Sequence, residues 1–260
     1  MKLKWYGTAT ILLEENGTKL LFDPFLPLNT KVFQPPLDEL VEADGILVTH
    51  GHFDHISAIP EILEQSSKPI SVYCTKKTEE ILIIKNVDKS RICSVDHGDL
   101  IKLGPFTISI LKSKHINFNL KIIIKTLFKM CVFRYWKVFR QIMTSDENRK
   151  RQIDTVVFEI NTPTQRVLLL GSLNLDFETQ YTPGADLLIL PFQGRSDLNT
   201  YALPIINRLK PVKILLDHFD DTFPPFSSHV YTDSFISFLS KQNPEISIIC
   251  TKASADWIEI

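Results

Sequence analysis

The sequence predicts an α/β (α+β) fold in which two β-sheets stack face to face and helices cover the outside. Three observations carry this reading. Short apolar runs bounded by turn residues recur along the whole chain. Strand-like runs outnumber helical ones in the first half. The two patterns alternate in the second half, whereas a singly wound parallel sheet would alternate throughout. The length of 260 residues agrees with one large domain at ~150 residues per domain. With no linker, repeat or low-complexity tract, residues 1–260 read as a single domain.

Residues 9–14 and 18–22 flank Asn16-Gly17, the strongest short-range hairpin signal. Asp23-Pro24 and a proline-rich loop through Pro36 follow. Ile46-Leu47-Val48 reads as a short buried strand. Residues 56–65 read as a helix, with Pro60 tolerated in its first turn. Further strands are expected near 70–74, 91–95, 106–112, 155–160, 166–170, 186–190, 213–216 and 246–251. Helices are expected near 76–85, 199–209 and 230–241.

Residues 118–152 break this rhythm. Ile124, Phe128, Cys131, Tyr135, Val138 and Ile142 recur at helical spacing, so the segment reads as an amphipathic helical insertion. Nine basic and two acidic side chains fall within 120–152, although the whole chain carries 29 basic and 30 acidic residues. Three roles compete for it: a lid over the site, a contact with anionic lipid, or a contact with a second copy. The balanced global charge gives no nucleic-acid footprint. An RNA nuclease is therefore the weakest class, kept only by this basic segment.

The four cysteines lack metal-clip or redox spacing, and three sit in apolar strand-like runs as reduced, buried thiols. The first residues lack the apolar stretch of a signal peptide, and no run of ~18 uncharged apolar residues occurs. A reducing cytoplasm is the expected location.

Thr49-His50-Gly51-His52-Phe53-Asp54-His55 carries the chemistry. Three histidines and an aspartate fall within six residues, directly after a buried strand. Neutral imidazole is the commonest transition-metal ligand, and carboxylate adds an anionic donor. Gly51 allows a tight backbone path. A helix starting at Ile56 would point its N-terminus at the cluster.

This stretch resembles the His-x-His-x-Asp-His signature of the metallo-β-lactamase superfamily. Three further features support the resemblance. The hairpin ends in Leu21-Phe22-Asp23-Pro24, as in the lactonase-like and phospholipase-D-like branch. Gly98-Asp99 is followed by a strand and Lys114-His115. His218 follows the strand Lys213-Ile214-Leu215-Leu216. The resemblance implies a four-layer αββα metallo-β-lactamase sandwich. It implies that His50, His52 and His115 hold one ion and that Asp54, His55 and His218 hold a second. The ions would be divalent, zinc first, with manganese or iron as alternatives. A water between them would be acidified to a nucleophile near neutral pH. Asp54 would also guide a proton to the leaving group.

One departure matters. Superfamily members usually carry Gly-Asp at the bridging position, where this chain has Gly171-Ser172. A hydroxyl there removes one negative charge, so either one or two ions are expected. Asn174 and Asp176 are the nearby residues that could compensate. His52, where the diiron redox relatives carry Glu, points to hydrolysis. Arg195 is a candidate anion clamp for substrate and Phe219 a candidate pocket wall. The leading expectation is a metal-dependent hydrolase of an ester-like bond, lactone or phosphodiester, in a small molecule. The competing class is a non-catalytic metal- or ligand-binding module, associated with a membrane surface.

Overall fold

The computed structural model describes residues 1–118, 154–224 and 226–260. The predicted insertion lies, from residue 119 onward, outside the described residues.

Two seven-stranded sheets form the centre of the molecule. The first contains β1 (Lys2–Gly7), β2 (Thr10–Glu15), β3 (Thr18–Phe22), β4 (Gly45–Leu47), β5 (Ser71–Cys74) and β6 (Ile92–Ser94) in chain order, closed at one edge by β14 (Ile258–Glu259). The second holds β7 (Leu100–Leu103), β8 (Phe106–Ser113), β9 (Thr155–Asn161), β10 (Arg166–Leu170), β11 (Leu187–Pro191), β12 (Lys213–Asp217) and β13 (Ser247–Ile249). Among the described residues the α-helices are α1 (Leu37–Leu40), α2 (Phe53–Ile56), α3 (Ile59–Gln65), α4 (Lys76–Ile84), α5 (Leu198–Leu209) and α6 (Asp233–Gln242).

Strand periodicity builds the layers. Leu3, Trp5, Ile11, Leu13, Leu20 and Phe22 face the second sheet and join its core. Their alternate neighbours Tyr6, Leu12 and Leu21 face outward and pack with Leu40, Ile56, Ile59, Ile62 and Leu82 of the helical layer. On the other side, β10, β11 and β12 are buried on both faces, so they read as unbroken apolar runs. Ala202, Ile205, Ile206 and Leu209 of α5 and Phe235 and Leu239 of α6 join that core.

Topology brings the loops that matter to one end. β3 and β4 are parallel in the first sheet. β10, β11 and β12 are parallel in the second. β8 is antiparallel to β9, which is antiparallel to β10, so β8 runs the same way as β10. The loops after β3, β4, β8, β10 and β12 therefore leave from strand C-termini. Val156 N–H donates to Thr49 O at 3.0 Å and His218 N–H to Thr8 O at 2.9 Å, stitching the two sheets together there.

Some expectations need correction. The helix read as 56–65 is α3, which begins three residues later at Ile59 and carries Pro60 in its first turn as expected, and a separate one-turn helix, α2, precedes it across a turn. Pro60 explains the break, because it offers no N–H to the carbonyl of Ile56 and its ring crowds that carbonyl. The helix that touches the histidine loop therefore starts at Phe53, with His52 at its N-cap. Cys74 is buried, and burial pushes its thiol up to about 12. Cys93 is only half-buried and Cys250 is exposed, so not all the strand-run thiols are interior.

Candidate metal centre

The buried strand β4 ends at Leu47, and the next residues carry the histidine loop across the sheet end. His50 and His55 are buried, while His52 and Asp54 are half-buried. The donors fall into two groups. One is His50, His52 and His115; the other is Asp54, His55 and His218. Within each group the donor atoms lie within 4.8 Å of one another. The groups adjoin through the rings of His50 and His55, whose centroids are 3.9 Å apart.

In the first group, Nε2 of His50 lies 3.0 Å from Nδ1 of His52. The His115 ring stands 4.6 Å from that of His52 and 5.2 Å from that of His50. Nδ1 of His115 is 2.9 Å from the carbonyl oxygen of Ile116, which leaves Nε2 as its free donor atom. Burial holds all three imidazoles neutral. His50 is pushed well below its ordinary value by burial and by the other histidines. Burial lowers His52 to about 4, against the pull of Asp54. Burial, with His52 alongside, lowers His115 to about 4. Neutral imidazole is the form that ligates a metal.

In the second group, Oδ2 of Asp54 lies 3.1 Å from Nε2 of His218 and 3.8 Å from Nε2 of His55. Burial would raise the Asp54 carboxyl, but His55 and His218 outweigh it and hold the group ionised. Burial opposes charge on His218 as well, yet the hydrogen bond and charge of Asp54 lift it to about 9. With both groups, five imidazoles and one carboxylate converge. That nitrogen-rich set with one anionic oxygen is what a borderline divalent ion takes.

A layer of polar groups behind the donors fixes them. Asp23 is fully buried. Its Oδ2 lies 2.9 Å from Nδ1 of His55 and accepts from the Thr49 hydroxyl at 2.6 Å. Its Oδ1 accepts from Thr49 N–H at 2.7 Å. With its proton given to Asp23, the Thr49 oxygen faces Nδ1 of His50 at 3.0 Å. One carboxylate thus orients a donor in each group. His218 adopts a left-handed backbone, φ 62°. Thr8, which holds its N–H, is also left-handed at φ 47°, and its own N–H is gripped by both oxygens of Asp220 at 3.0 Å. A β-branched residue there is unusual, and this clamp sustains it. Asp217 is buried, its Oδ1 has no hydrogen-bond partner among the described residues, and burial pushes its carboxyl well above the ordinary range.

The remaining sequence candidates fall elsewhere. Ser172 is buried, and its Oγ accepts from Ile116 N–H at 2.9 Å. Asn174 donates to the carbonyl of His115 at 3.0 Å. Asp176 is turned away from both groups, with Lys114 Nζ at 2.9 Å and the Thr179 hydroxyl at 3.1 Å. Arg195 forms a two-pronged pair with Asp197, both contacts 2.7 Å, and gives a third donor to Asn117 O. Phe219 is buried against Trp5, with ring centroids 4.9 Å apart. His97 sits in an exposed turn beside Asp96, and His229 is exposed ahead of α6. The sequence reading missed Asp23 and Thr49 as working residues. Their signal was position: a carboxylate closing the apolar run Leu20-Leu21-Phe22, and a hydroxyl directly before the first histidine.

Comparison with known proteins agrees with this geometry. A UPF0173 metal-dependent hydrolase of Archaeoglobus fulgidus is 35% identical over 115 residues, covering 44% of this chain and 46% of that protein. One from Staphylococcus aureus is 39% identical over 71 residues, 27% of this chain and 30% of that protein. The matched stretches thus span half or less of the curated relatives' length. The metallo-hydrolase Igni18 of Ignicoccus hospitalis superposes with a TM-score of 0.65 at 14% identity, covering 100% of this chain and 98% of that one. The metallo-β-lactamase fold protein YhfI of Bacillus subtilis superposes with a TM-score of 0.64 at 15% identity, covering 99% and 98%. These superpositions identify the two-sheet sandwich as the metallo-β-lactamase fold. Residues 18–202 match the family described as the beta-lactamase superfamily domain, and the chain belongs to that family.

Proposed function

We propose that the protein is a metal-dependent hydrolase of a small molecule, acting on an ester-like bond of the lactone or phosphodiester type. The observation that carries this reading is the convergence of two three-donor groups, His50/His52/His115 and Asp54/His55/His218, at the C-terminal ends of strands from both sheets. The relatives named metal-dependent hydrolases support the reaction class.

Zinc suits the donors best, with manganese or iron as alternatives, in one or two positions. When bound, such ions polarise a substrate carbonyl or phosphoryl oxygen and acidify water to a nucleophile near neutral pH. The protein's own residues do the rest. His50, His52 and His115, neutral because they are buried, hold one position. Asp54, His55 and His218 hold the other. Asp54, whose Oδ2 lies between two imidazoles, would pass a proton to the leaving group. Asp23 and Thr49 keep His55 and His50 in the required orientation.

The test is hydrolysis of lactone, phosphodiester, phosphomonoester and thioester panels by the metal-loaded protein, with His50→Ala plus His52→Ala as control. Turnover that vanishes in the double variant is the expected result. Turnover unchanged in the double variant would overturn the proposal. Tight metal binding without turnover on any panel would favour a binding module instead.

A further inference from the structure

The third donor of the first group, His115, stands on different ground from the other two. His50 and His52 belong to a loop tied down by Thr49 and Asp23. His115 follows β8 on the stretch that leaves the sheet. Among the described residues, the groups that hold that stretch come mainly from the loop after β10.

Asn174 Nδ2 donates to the carbonyl of His115 at 3.0 Å, and Ile116 N–H donates to Ser172 Oγ at 2.9 Å. The single peptide group that joins His115 to Ile116 is thus gripped at its C=O and at its N–H by two side chains two residues apart. Ser113 Oγ in turn donates to the carbonyl of Asn174 at 3.0 Å. Lys114 Nζ reaches Asp176 at 2.9 Å, and the Tyr181 hydroxyl donates to the carbonyl of Lys112. Residues 112–116 are therefore laced to residues 172–181 at every position. The lacing also aims the ligand. The Ile116 carbonyl, in the next peptide group, faces Nδ1 of His115 and leaves Nε2 to the centre, and gripping the 115–116 peptide fixes the backbone from which both the ring and that carbonyl project.

The loop itself is held against the first group's other anchor. A Cβ on Gly171 would meet Thr49 Cβ and Oγ1 at 2.2 Å, so the backbone before Ser172 lies directly on Thr49. Ser172 thus sits where the two halves of the group meet, and its oxygen is spent on a peptide N–H.

We propose that Ser172 and Asn174 are positioning residues that lock His115 as the third donor of its group, and that their loop supplies hydrogen bonds there instead of a metal ligand. The inference rests on the reading that the two groups hold metal.

Cobalt(II) titration followed by visible absorption tests it. Ser172→Ala and Asn174→Ala are each expected to weaken cobalt binding by about tenfold or more and to alter the absorption bands. Ser172→Thr, which keeps the hydroxyl, is expected to bind like the wild type. The decisive arm is the His115→Ala background, where Ser172→Ala should change nothing further, because the residue acts through His115. Circular dichroism identifies a variant that has failed to fold. Unchanged cobalt binding in both alanine variants would overturn the clamp. So would Ser172→Ala weakening binding equally with and without His115, or Ser172→Thr behaving like Ser172→Ala. A wild-type chain that binds no cobalt at all would instead overturn the metal reading on which the clamp depends.

Discussion

Oδ2 of Asp23 lies 2.9 Å from Nδ1 of His55, on the ring nitrogen opposite the one that faces Asp54. The same carboxylate binds Thr49 through both its backbone and its hydroxyl, and Thr49 faces His50. A single buried anion at the end of β3 therefore fixes one donor in each half of the centre. Asp23→Asn keeps the shape but replaces one acceptor oxygen by an NH₂ that cannot accept from both partners. Loss of metal affinity of roughly 10–100-fold is expected, as for other outer-layer partners of ligating histidines. Isothermal titration with zinc against the wild type measures it. Equal affinities would mean that the loop positions its histidines without Asp23.

Two glycines next to the centre should respond differently to alanine. At Gly171 the new Cβ would lie 2.2 Å from Thr49 Cβ and Oγ1, and Thr49 is locked by Asp23. At Gly51 the new Cβ would lie 2.5 Å from Cδ1 of Ile81, the far end of a flexible side chain. Overpacking a rigid site costs about 1–3 kcal/mol or more. Gly171→Ala should thus lower the melting temperature by several degrees and also displace Thr49 from His50. Gly51→Ala should cost less, because Ile81 can turn aside. Thermal melts of the two variants side by side decide this, and a smaller loss at Gly171 would contradict it.

How much of this was legible in the sequence depended on whether the signal was local. The hairpin of β2 and β3 and the histidine loop were readable because pattern and spacing carry them, whereas His115 and His218 were reached only through the family resemblance. β1 was not readable, although Leu3, Trp5 and Tyr6 are all buried. Lys4 hides its alternation: it is buried too, 2.5 Å from Glu39. β14 is two residues long and exists only through its pairing with β1. Asp23 and Thr49 are 26 residues apart, and no spacing rule predicts that they touch. The same holds for Asp176, whose charge is drawn to Lys114 on the neighbouring β8 turn.

Removing the metal should expose a pH optimum of stability set by the donors themselves. His52 and His115 titrate at about 4 in the fold, below the ordinary 6.5. For them the unfolded chain binds protons first on acidification, so their contribution is complete above pH 6.5 and is lost as pH falls toward 4. His218 titrates at about 9, held up by Asp54. Its contribution is complete below pH 6.5 and is lost as pH rises toward 9. The donors' contribution to the stability of the metal-free protein is therefore greatest near pH 6.5 and weakens on both sides. Asp54→Asn removes the charge that lifts His218, so it should flatten the alkaline limb and leave the fall toward pH 4 in place. Denaturant melts of chelated protein between pH 4 and 9 measure both limbs. A stability that rises steadily from pH 6.5 to 9 in the wild type would show that the Asp54–His218 pair does not form without metal.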